Sequence, residues 1–364
     1  MIYLDNGATS LWKPPGVSRR MEIALKTCGN PGRSGHAPAL QGAKTVFAVR
    51  ELAAELFECS PEQVVFTSNC THGINIALRS LVKPGGRVVL SGFEHNAVTR
   101  TLEELGAKQT VAGRKLFDWE DMLRCWDGAL AEGADAAVFT HVSNVFGYIL
   151  PVEELADMCR KRGVPFLIDA AQSAGCIPIS MSRLGADFIA MPGHKGLLGP
   201  QGTGILLCGG KSVPLLFGGT GSESRNQKMP EELPERLEAG TLNVPGIAGL
   251  GAGLGYIRKF GPEKIGKREH AQLIYCAGQL EKMGFRVFYG PHQAGTVSFV
   301  PKTDCEDFAG ELAKMGIATR AGLHCAPLAH ESAGTLESGT VRVSFGADAS
   351  REQADVFLRA CRRI

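Results

Sequence analysis

The segment from Gly185 to Gly204 places a single lysine in a glycine-rich turn. An apolar run, Phe188–Met191, predicts a short buried strand, and Lys195 follows it directly after His194. Glycines at positions 193, 196, 199, 202 and 204 allow the backbone to approach a ligand closely. A lysine at a strand end, among backbone N–H groups, suits a Schiff-base amine that holds a phosphorylated cofactor. The alternative is a glycine-rich turn with one solvated lysine, and the rest of the chain must distinguish the two.

Polar residues also follow the other predicted strands. They are Thr67–Gly73 after Val64–Phe66, Glu94–Asn96 after Arg87–Leu90, His141–Asn144 after Ala136–Thr140, and Asp169–Gln172 after Pro165–Ile168. Taken singly, Thr71 and Asp169 fit helix caps, and His95 fits an ordinary core or surface histidine. Together with His194 and Lys195 they form five groups at one sheet edge, where ligands of parallel sheets bind. The absence of GxGxxG and GxxxxGK[ST] patterns excludes dinucleotide and P-loop sites.

Helical periodicity between these strands indicates a mostly parallel sheet with helices on both faces. The predicted helices are Pro15–Thr27, Leu40–Phe57, Thr71–Leu81, Ala97–Leu105, Val152–Lys161, Pro245–Tyr256 and Glu263–Lys282, and Gly204–Leu207 is a further strand. The last hundred residues predict a smaller α+β unit, with strands Arg286–Tyr289, Gly295–Phe299, one ending at Arg320, and Thr340–Ser344, and with helices Asp307–Met315 and one from Arg351. The expected fold class is α/β, with a large domain at 15–255 and a smaller α+β domain formed by 1–14 and 256–364.

Composition narrows the class of protein. The 364 residues include 39 Lys and Arg against 37 Asp and Glu, so no strong field favours nucleic acid or a membrane surface. The N-terminus has no signal-peptide pattern and no apolar run is long enough to span a bilayer, so we expect a cytoplasmic protein. Eleven cysteines without any CxxC pair indicate reduced thiols rather than disulfides or a zinc ribbon, and no metal site is predicted.

Cys325 differs from the other cysteines in its setting, Arg320-Ala-Gly-Leu-His-Cys-Ala. A nearby arginine and histidine would favour the thiolate at neutral pH, which a nucleophilic cysteine requires. The alternative is a structural cysteine in a turn. Arg342, on the strand that returns from this loop, suits a substrate carboxylate, or is a strand-edge arginine. In the turn-rich loop 29–36, Arg33 and His36 are further ligand candidates.

Taken together, these motifs resemble the class V aminotransferase-fold family of pyridoxal-5′-phosphate (PLP) enzymes, in its cysteine desulfurase and selenocysteine lyase branch. The resemblance runs from Leu4-Asp5-Asn6-Gly7-Ala8-Thr9 to Val341-Arg342-Val343-Ser344. The sequence is most similar to the second group of desulfurases, whose cysteine lies in an R-x-G-x-H-C-A setting. The resemblance implies a type I PLP-dependent transferase fold whose smaller domain carries Cys325.

The resemblance also implies roles for individual residues. Lys195 would bind the cofactor covalently, Asp169 would pair with the ring nitrogen, Gln172 would bond the ring oxygen, and His95 would stack on the ring and carry protons. Thr71, the backbone of His72, and His194 would bind the phosphate, while Thr241 would reach the phosphate of a neighbouring subunit in a homodimer. Asn144 would contact cofactor or substrate, Arg342 the substrate carboxylate, with Arg320 and His36 also expected near the substrate. Cys325 would take sulfur from L-cysteine as a persulfide and pass it to an acceptor protein.

Three positions depart from the family pattern. Gly7 stands where relatives usually have alanine, Pro192 where many have a phosphate-binding serine, and Leu323 where the usual His-His-Cys has its first histidine. The alternatives are selenocysteine lyase, another class V enzyme (aminotransferase, epimerase or cysteine sulfinate desulfinase) in which Cys325 is incidental, or a non-catalytic binding protein. Retention of the lysine, aspartate, glutamine and histidine argues against the last.

Overall fold

The computed structural model describes residues 1–32, 34–222 and 225–364. Its strands are β1 (Ile2–Tyr3), β2 (Val64–Thr67), β3 (Arg87–Ser91), β4 (Lys108–Ala112), β5 (Ala136–Thr140), β6 (Phe166–Asp169), β7 (Phe188–Pro192), β8 (Gly204–Cys208), β9 (Arg286–Phe288), β10 (Thr296–Val300), β11 (Ile317–Ala318), β12 (Arg320–Gly322) and β13 (Thr340–Ser344). Its helices are α1 (Gly16–Thr27), α2 (Ala37–Phe57), α3 (Cys70–Leu81), α4 (Asn96–Glu104), α5 (Trp119–Ala131), α6 (Val152–Lys161), α7 (Met181–Leu184), α8 (Val244–Phe260), α9 (Pro262–Lys282), α10 (Cys305–Lys314), α11 (Pro327–Ala333) and α12 (Arg351–Cys361).

The larger sheet has the strand order β2-β8-β7-β6-β5-β3-β4. Only β8 runs antiparallel to its neighbours, so the sheet is mostly parallel, as predicted. Strands β5, β6 and β7 are buried along their whole length, as expected where helices cover both faces. Their carboxyl ends are adjacent, since Thr140 pairs with Asp169 and Asp169 with Ala190.

A second, antiparallel sheet has the order β12-β13-β10-β9. Its core packs phenylalanines of the sheet and its helices edge to face, with Phe299 against Phe308 at 5.6 Å between ring centroids. The N-terminal strand joins this half of the chain, because Ile2 of β1 pairs with Ile317 of β11. We propose that the two sheets mark the two domains predicted from the sequence, 15–255 and 1–14 with 256–364.

Element boundaries differ from the prediction in a few places. Strand β4 and helix α5 lie in a stretch for which the sequence pattern predicted neither. The strand predicted to end at Arg320 is divided into β11 and β12, and α2 begins three residues early because His36 caps it and Pro38 fits its first turn. No helix in the described ranges combines the length and apolar character needed to cross a bilayer.

Candidate active site

Lys195 lies in a turn that the N-terminal segment anchors to the end of β7. The carbonyl oxygen of His194 accepts hydrogen bonds from the Ser10 hydroxyl at 3.0 Å and the Lys13 amine at 2.8 Å. The Lys195 carbonyl accepts from the same Ser10 hydroxyl at 3.0 Å. Burial lowers the pKa of Lys195, while the neighbouring Cys70 opposes that shift. The backbone on both sides of the amine is therefore fixed.

The lysine side chain faces a cavity of about 110 Å³ at the carboxyl ends of the strands. The cavity is lined by Asn69, Cys70, Thr71, Ile74, His95, Ala97, Thr140, Val142, Asn144, Asp169, Ala171, Gln172, Pro192, His194 and Lys195. All five polar groups that the sequence placed after separate strands contribute to this lining. The five strand ends therefore meet at one shared pocket.

Asp169 is the last residue of β6 and is buried. Its Oδ1 accepts the N–H of Ala171 at 2.9 Å and lies 3.6 Å from the Cys70 sulfur. Three residues further on, the Gln172 amide donates to the carbonyl oxygen of Gly7 at 2.9 Å. A fixed carboxylate and a fixed amide thus lie on the same wall as the amine.

His95 caps helix α4, since its Nδ1 accepts the N–H of Ala97 at 3.0 Å. This hydrogen bond assigns the ring proton to Nε2 in the neutral tautomer. Burial lowers the pKa of His95, the Asp169 carboxylate raises it, and Lys195 lowers it. The cap fixes the ring beside the pocket and occupies Nδ1, so the neutral ring presents Nε2–H and would take up a further proton only at Nδ1, with loss of the cap.

Helix α3 begins at the pocket, and its first turn shows one difference from the prediction. The His72 N–H, expected to bind phosphate, donates instead to the Asn69 side chain at 2.8 Å, which caps the helix. Thr71 is exposed. The His194 ring lies 3.0 Å from the Thr9 hydroxyl, and burial lowers the pKa of His194 to about 4. The helix N-terminus remains suited to an anion, but the His72 N–H already has a partner.

Arg342 is fully buried on β13 and pairs with Asp5 at 2.7 Å. Its second nitrogen donates to the carbonyl oxygen of Asn144 at 2.9 Å. Arg320 is directly opposite Arg342 in the antiparallel register of β12 and β13. Burial lowers the pKa of Arg342, and Asp5 opposes this by favouring the charged form. Arg320 and Arg342 therefore lie opposite each other on neighbouring strands of the smaller sheet, and both add to the effect of burial in lowering the pKa of Lys195, although neither lines the cavity.

Cys325 is exposed, and its carbonyl oxygen accepts the N–H of Asn96, the first residue of α4, at 2.8 Å. The loop thus contacts the helix that His95 caps. The expectation that His324 supports the thiolate is wrong in this structure, because the ring is buried and bonds Thr340 at 3.1 Å. Burial lowers the pKa of His324 to about 2, so the imidazole is neutral at pH 7.

The sequence profile described as aminotransferase class-V matches residues 2–357. The chain belongs to this family. A probable cysteine desulfurase of Pyrococcus abyssi is 35% identical over 379 residues, covering 98% of this chain and 92% of the relative. One of Methanothermobacter thermautotrophicus is 33% identical over 359 residues, covering 94% and 90%. The apo structure of the cysteine desulfurase from Thermococcus onnurineus NA1 is 32% identical with a TM-score of 0.91, covering 100% of this chain and 94% of that one. The fold predicted from the sequence, that of the type I PLP-dependent transferases, is confirmed.

Six predicted site residues of this class V chain do not line the pocket in the described part of the chain: His72, Arg320, Cys325 and Arg342, placed above, and Thr241 and His36. Thr241 is exposed and lines a separate cavity of about 1010 Å³, which helix α2 also borders. His36 is exposed and caps α2, accepting the Ala39 N–H at 3.3 Å. Within one described chain, neither contributes to the lining around Lys195. Arg33 lies outside the described residues.

The departures from the class V pattern have local physical consequences. A side chain at Gly7 would place its Cβ 3.1 Å from Cζ of Arg342, so an alanine would need that buried guanidinium to move. Pro192 lines the pocket without any side-chain donor. Leu323 is 37% exposed and supplies no charge beside Cys325. The three departures thus lie beside Arg342, in the lining of the pocket, and in the loop 323–326 that carries Cys325, here called the thiol loop.

Two further residues of the site were missed by sequence reasoning. Lys13 bonds the Ser10 hydroxyl and the His194 carbonyl, and burial lowers its pKa to about 8. Glu94 is fully buried, accepts the Thr140 N–H at 2.8 Å and also accepts the Ser91 hydroxyl. Burial raises the pKa of Glu94 to about 8. The polar group Glu94–Asn96 was the only signal for Glu94, and nothing in the pattern marked Lys13.

Proposed function

We propose that the protein is a PLP-dependent cysteine desulfurase that converts L-cysteine to L-alanine and retains the sulfur as a persulfide on Cys325. One observation carries the proposal: the exposed cysteine lies against the first residue of the helix that His95 caps, and His95 lines the pocket around Lys195. The relatives named cysteine desulfurase support the same activity.

The pocket fits PLP by the chemistry of its donors. A buried carboxylate at Asp169, a partly buried amine at Lys195 and a helix N-terminus at Thr71 match the ring nitrogen, aldehyde and phosphate of that cofactor. We propose that Lys195 binds it, that Asp169 pairs with its ring nitrogen, and that the remaining contacts come from Thr71, His72, His95, Asn144, Gln172 and His194. Bound PLP would supply an electron sink for the negative charge that develops on the substrate α-carbon.

Residues of the chain would carry out proton transfer and orient the substrate. We propose that Lys195 and His95 carry the proton: burial lowers the pKa of Lys195 and so favours the neutral amine that accepts a proton, and it lowers the pKa of His95 and so favours the neutral imidazole. Arg342 would orient the substrate carboxylate, aided by Arg320, which faces it across the sheet. With the carboxylate held by these side chains, the thiol of the substrate would have one fixed direction relative to Cys325, whose loop lies between β12 and β13.

The sulfur step balances without any further reactant. The Cys325 thiolate forms an S–S bond to the substrate sulfur while the bond from that sulfur to the β-carbon breaks. The electron pair of the broken bond stays with the three-carbon unit, which takes up a proton and leaves as alanine. The persulfide on Cys325 is then transferred to an acceptor, for which we propose a protein partner.

The test is product analysis with three substrates: cysteine, selenocysteine and cysteine sulfinate. Purified wild-type protein, loaded with PLP, is expected to release alanine from cysteine and to gain one sulfur on Cys325 by mass spectrometry. Cys325→Ala is expected to abolish the reaction with cysteine, while Cys28→Ala, a partly exposed control thiol, is expected to keep it. Full turnover of cysteine by Cys325→Ala, or sulfinate as the preferred substrate, would overturn the proposal.

One observation favours a second candidate, selenocysteine lyase. Neither residue before the thiol supplies a positive charge, because Leu323 is apolar and His324 is neutral at pH 7. Selenium leaves carbon more readily than sulfur does, so its removal depends less on an activated thiolate. Alanine release from selenocysteine that survives Cys325→Ala, with little release from cysteine in the wild type, would favour the lyase.

We also propose a homodimer in the cytoplasm. Thr241 is exposed beside a large cavity bordered by the α2 residues Val46 and Phe47, and Phe47 is itself exposed. A second copy covering this face would bring Thr241 toward the phosphate end of the partner site. Analytical ultracentrifugation is expected to give twice the chain mass, and Phe47→Glu is expected to give the monomer.

A further inference from the structure

Asn144 makes hydrogen bonds to both halves of the site. Its side-chain amide donates to the carbonyl oxygen of His324 at 2.7 Å, and its backbone carbonyl accepts from Arg342 at 2.9 Å. Asn144 is buried and lines the pocket around Lys195. One residue of the larger sheet edge therefore contacts the thiol loop, the carboxylate-binding arginine and the pocket.

The loop that Asn144 contacts has an unfavourable backbone. His324 and Cys325 are consecutive residues with φ of +51° and +58°, in the left-handed region that residues with a Cβ avoid. Such conformations persist where surrounding contacts determine them. Here the carbonyl of His324 has Asn144 as its donor, and the carbonyl of Cys325 has Asn96. The exposed thiol thus depends on contacts to its backbone.

An amide side chain carries two N–H donors and one acceptor oxygen. Asn144 uses one N–H on His324, and the described part of the chain contains no other hydrogen bond to this amide. The second N–H and the oxygen remain available for a ligand in the pocket that Asn144 lines. The same side chain can therefore bond the thiol loop and a bound ligand at once.

We propose that Asn144 is a positioning residue for Cys325, which fixes the thiol loop from the pocket side. The inference rests on the proposed function, since it assigns to Cys325 the sulfur-accepting step. It goes beyond a cofactor or substrate contact, because the side chain acts on the backbone of the nucleophile. Loss of the hydrogen bond from Asn144 to His324 is expected to slow the attack of Cys325 on the substrate sulfur. It is expected to affect the preceding removal of the substrate α-proton less.

The sharpest variant is Asn144→Asp, which keeps the size and the acceptor oxygen but removes the donor to His324. Gln172→Glu is the matched control, because Gln172 is a second pocket amide and bonds Gly7 instead of the thiol loop. Each variant, loaded with PLP, is assayed with cysteine and with selenocysteine, whose turnover depends less on Cys325. We expect Asn144→Asp to lose at least tenfold more activity with cysteine than with selenocysteine, and Gln172→Glu to lose both in parallel.

A second measurement does not use activity. In the protein without added cysteine, hydrogen–deuterium exchange of the amides at 324–326 is expected to be faster in Asn144→Asp than in the wild type, and unchanged in Gln172→Glu. Parallel losses with both substrates, or unchanged exchange at 324–326, would overturn the positioning role. Should Asn144→Asp fail to fold, Asn144→Ala, which adds no charge, replaces it in both measurements. If the wild type releases no alanine from cysteine, the proposed function fails, and the exchange data still decide whether Asn144 fixes the loop.

Discussion

The N–H of Asn96 donates to the carbonyl oxygen of Cys325 at 2.8 Å. Asn96 is the first residue of α4, and His95 before it caps that helix while lining the pocket. The thiol loop is therefore fixed to the strand end that supplies the histidine. A movement of the loop must break this contact, which links the position of the nucleophile to the first turn of α4.

Selective alkylation should identify Cys325 as the reactive thiol. All eleven cysteines lie in the described part of the chain, and Cys325 alone is exposed. One equivalent of iodoacetamide is expected to label Cys325 ahead of the others, in step with loss of cysteine turnover, as followed by peptide mass spectrometry. Cys325→Ser should change the free energy of unfolding by no more than about 0.5 kcal/mol, because an exposed side chain buries little surface. Equal labelling of the partly exposed Cys28 or Cys125 would contradict this expectation.

The pair of Asp5 and Arg342 should be important for stability. Arg342 is 2% exposed and Asp5 20%, so removal of the carboxylate leaves a buried guanidinium without its counter-charge. Asp5→Asn is expected to lower the free energy of unfolding by about 3 kcal/mol in urea denaturation. The control is Glu55→Gln in the exposed pair with Arg258, expected to change it by less than about 1 kcal/mol. Similar effects of the two variants would show that the buried pair is compensated elsewhere.

Lys13 should stabilise the turn around Lys195. Its amine donates to the His194 carbonyl at 2.8 Å, and that carbonyl keeps the Ser10 and Thr9 donors when Lys13 is replaced. Lys13→Met is expected to cost about 1 kcal/mol of unfolding free energy, since its hydrogen bonds to the Ser10 hydroxyl and the His194 carbonyl are lost at a partly exposed position. It should also speed loss of bound PLP, measured by absorbance during dialysis. Lys26→Met, in an exposed pair with Glu22, serves as the control, and equal PLP retention in both variants would contradict the anchoring role.

The pocket could be predicted from sequence because of a topological rule. Lys195 and Asp169 follow apolar runs that are strands β7 and β6, and carboxyl ends of adjacent parallel strands meet at one edge. Strand β4 escaped prediction because it is an edge strand with polar, exposed residues at Lys108 and Gln109, which leaves a weak apolar signal.

The directions of side chains and the contacts made by backbone atoms could not be predicted from the sequence. His324 precedes Cys325, yet its ring turns inward to Thr340, because a left-handed backbone at both residues separates the two side chains. The bond from Asn144 to His324 joins positions 180 apart, and it uses a backbone carbonyl that no residue type reveals. Such contacts depend on the assembled fold.

Glu94 should make the stability of the protein depend on pH. It is fully buried, and burial raises its pKa to about 8, so the folded protein keeps the carboxyl protonated at neutral pH. The unfolded chain ionises it near pH 4.5, so the folded state binds more protons between these values. Its contribution to stability is therefore fully present below about pH 4.5 and is lost as the pH rises toward 8.

Glu94→Gln should remove this loss, because the amide is neutral at every pH and its oxygen can accept the Thr140 N–H that Glu94 accepts now. The free energy of unfolding of the variant minus that of the wild type is expected to increase by about 1.4 kcal/mol per pH unit, or roughly 3 kcal/mol between pH 5 and 7. Urea denaturation at pH 5, 6, 7 and 8 measures it, and the difference cancels the contributions of other titrating groups. Glu103→Gln, at an exposed position of helix α4, is the control and should give a flat difference. A flat difference for Glu94→Gln as well would mean that Glu94 is ionised in the folded protein.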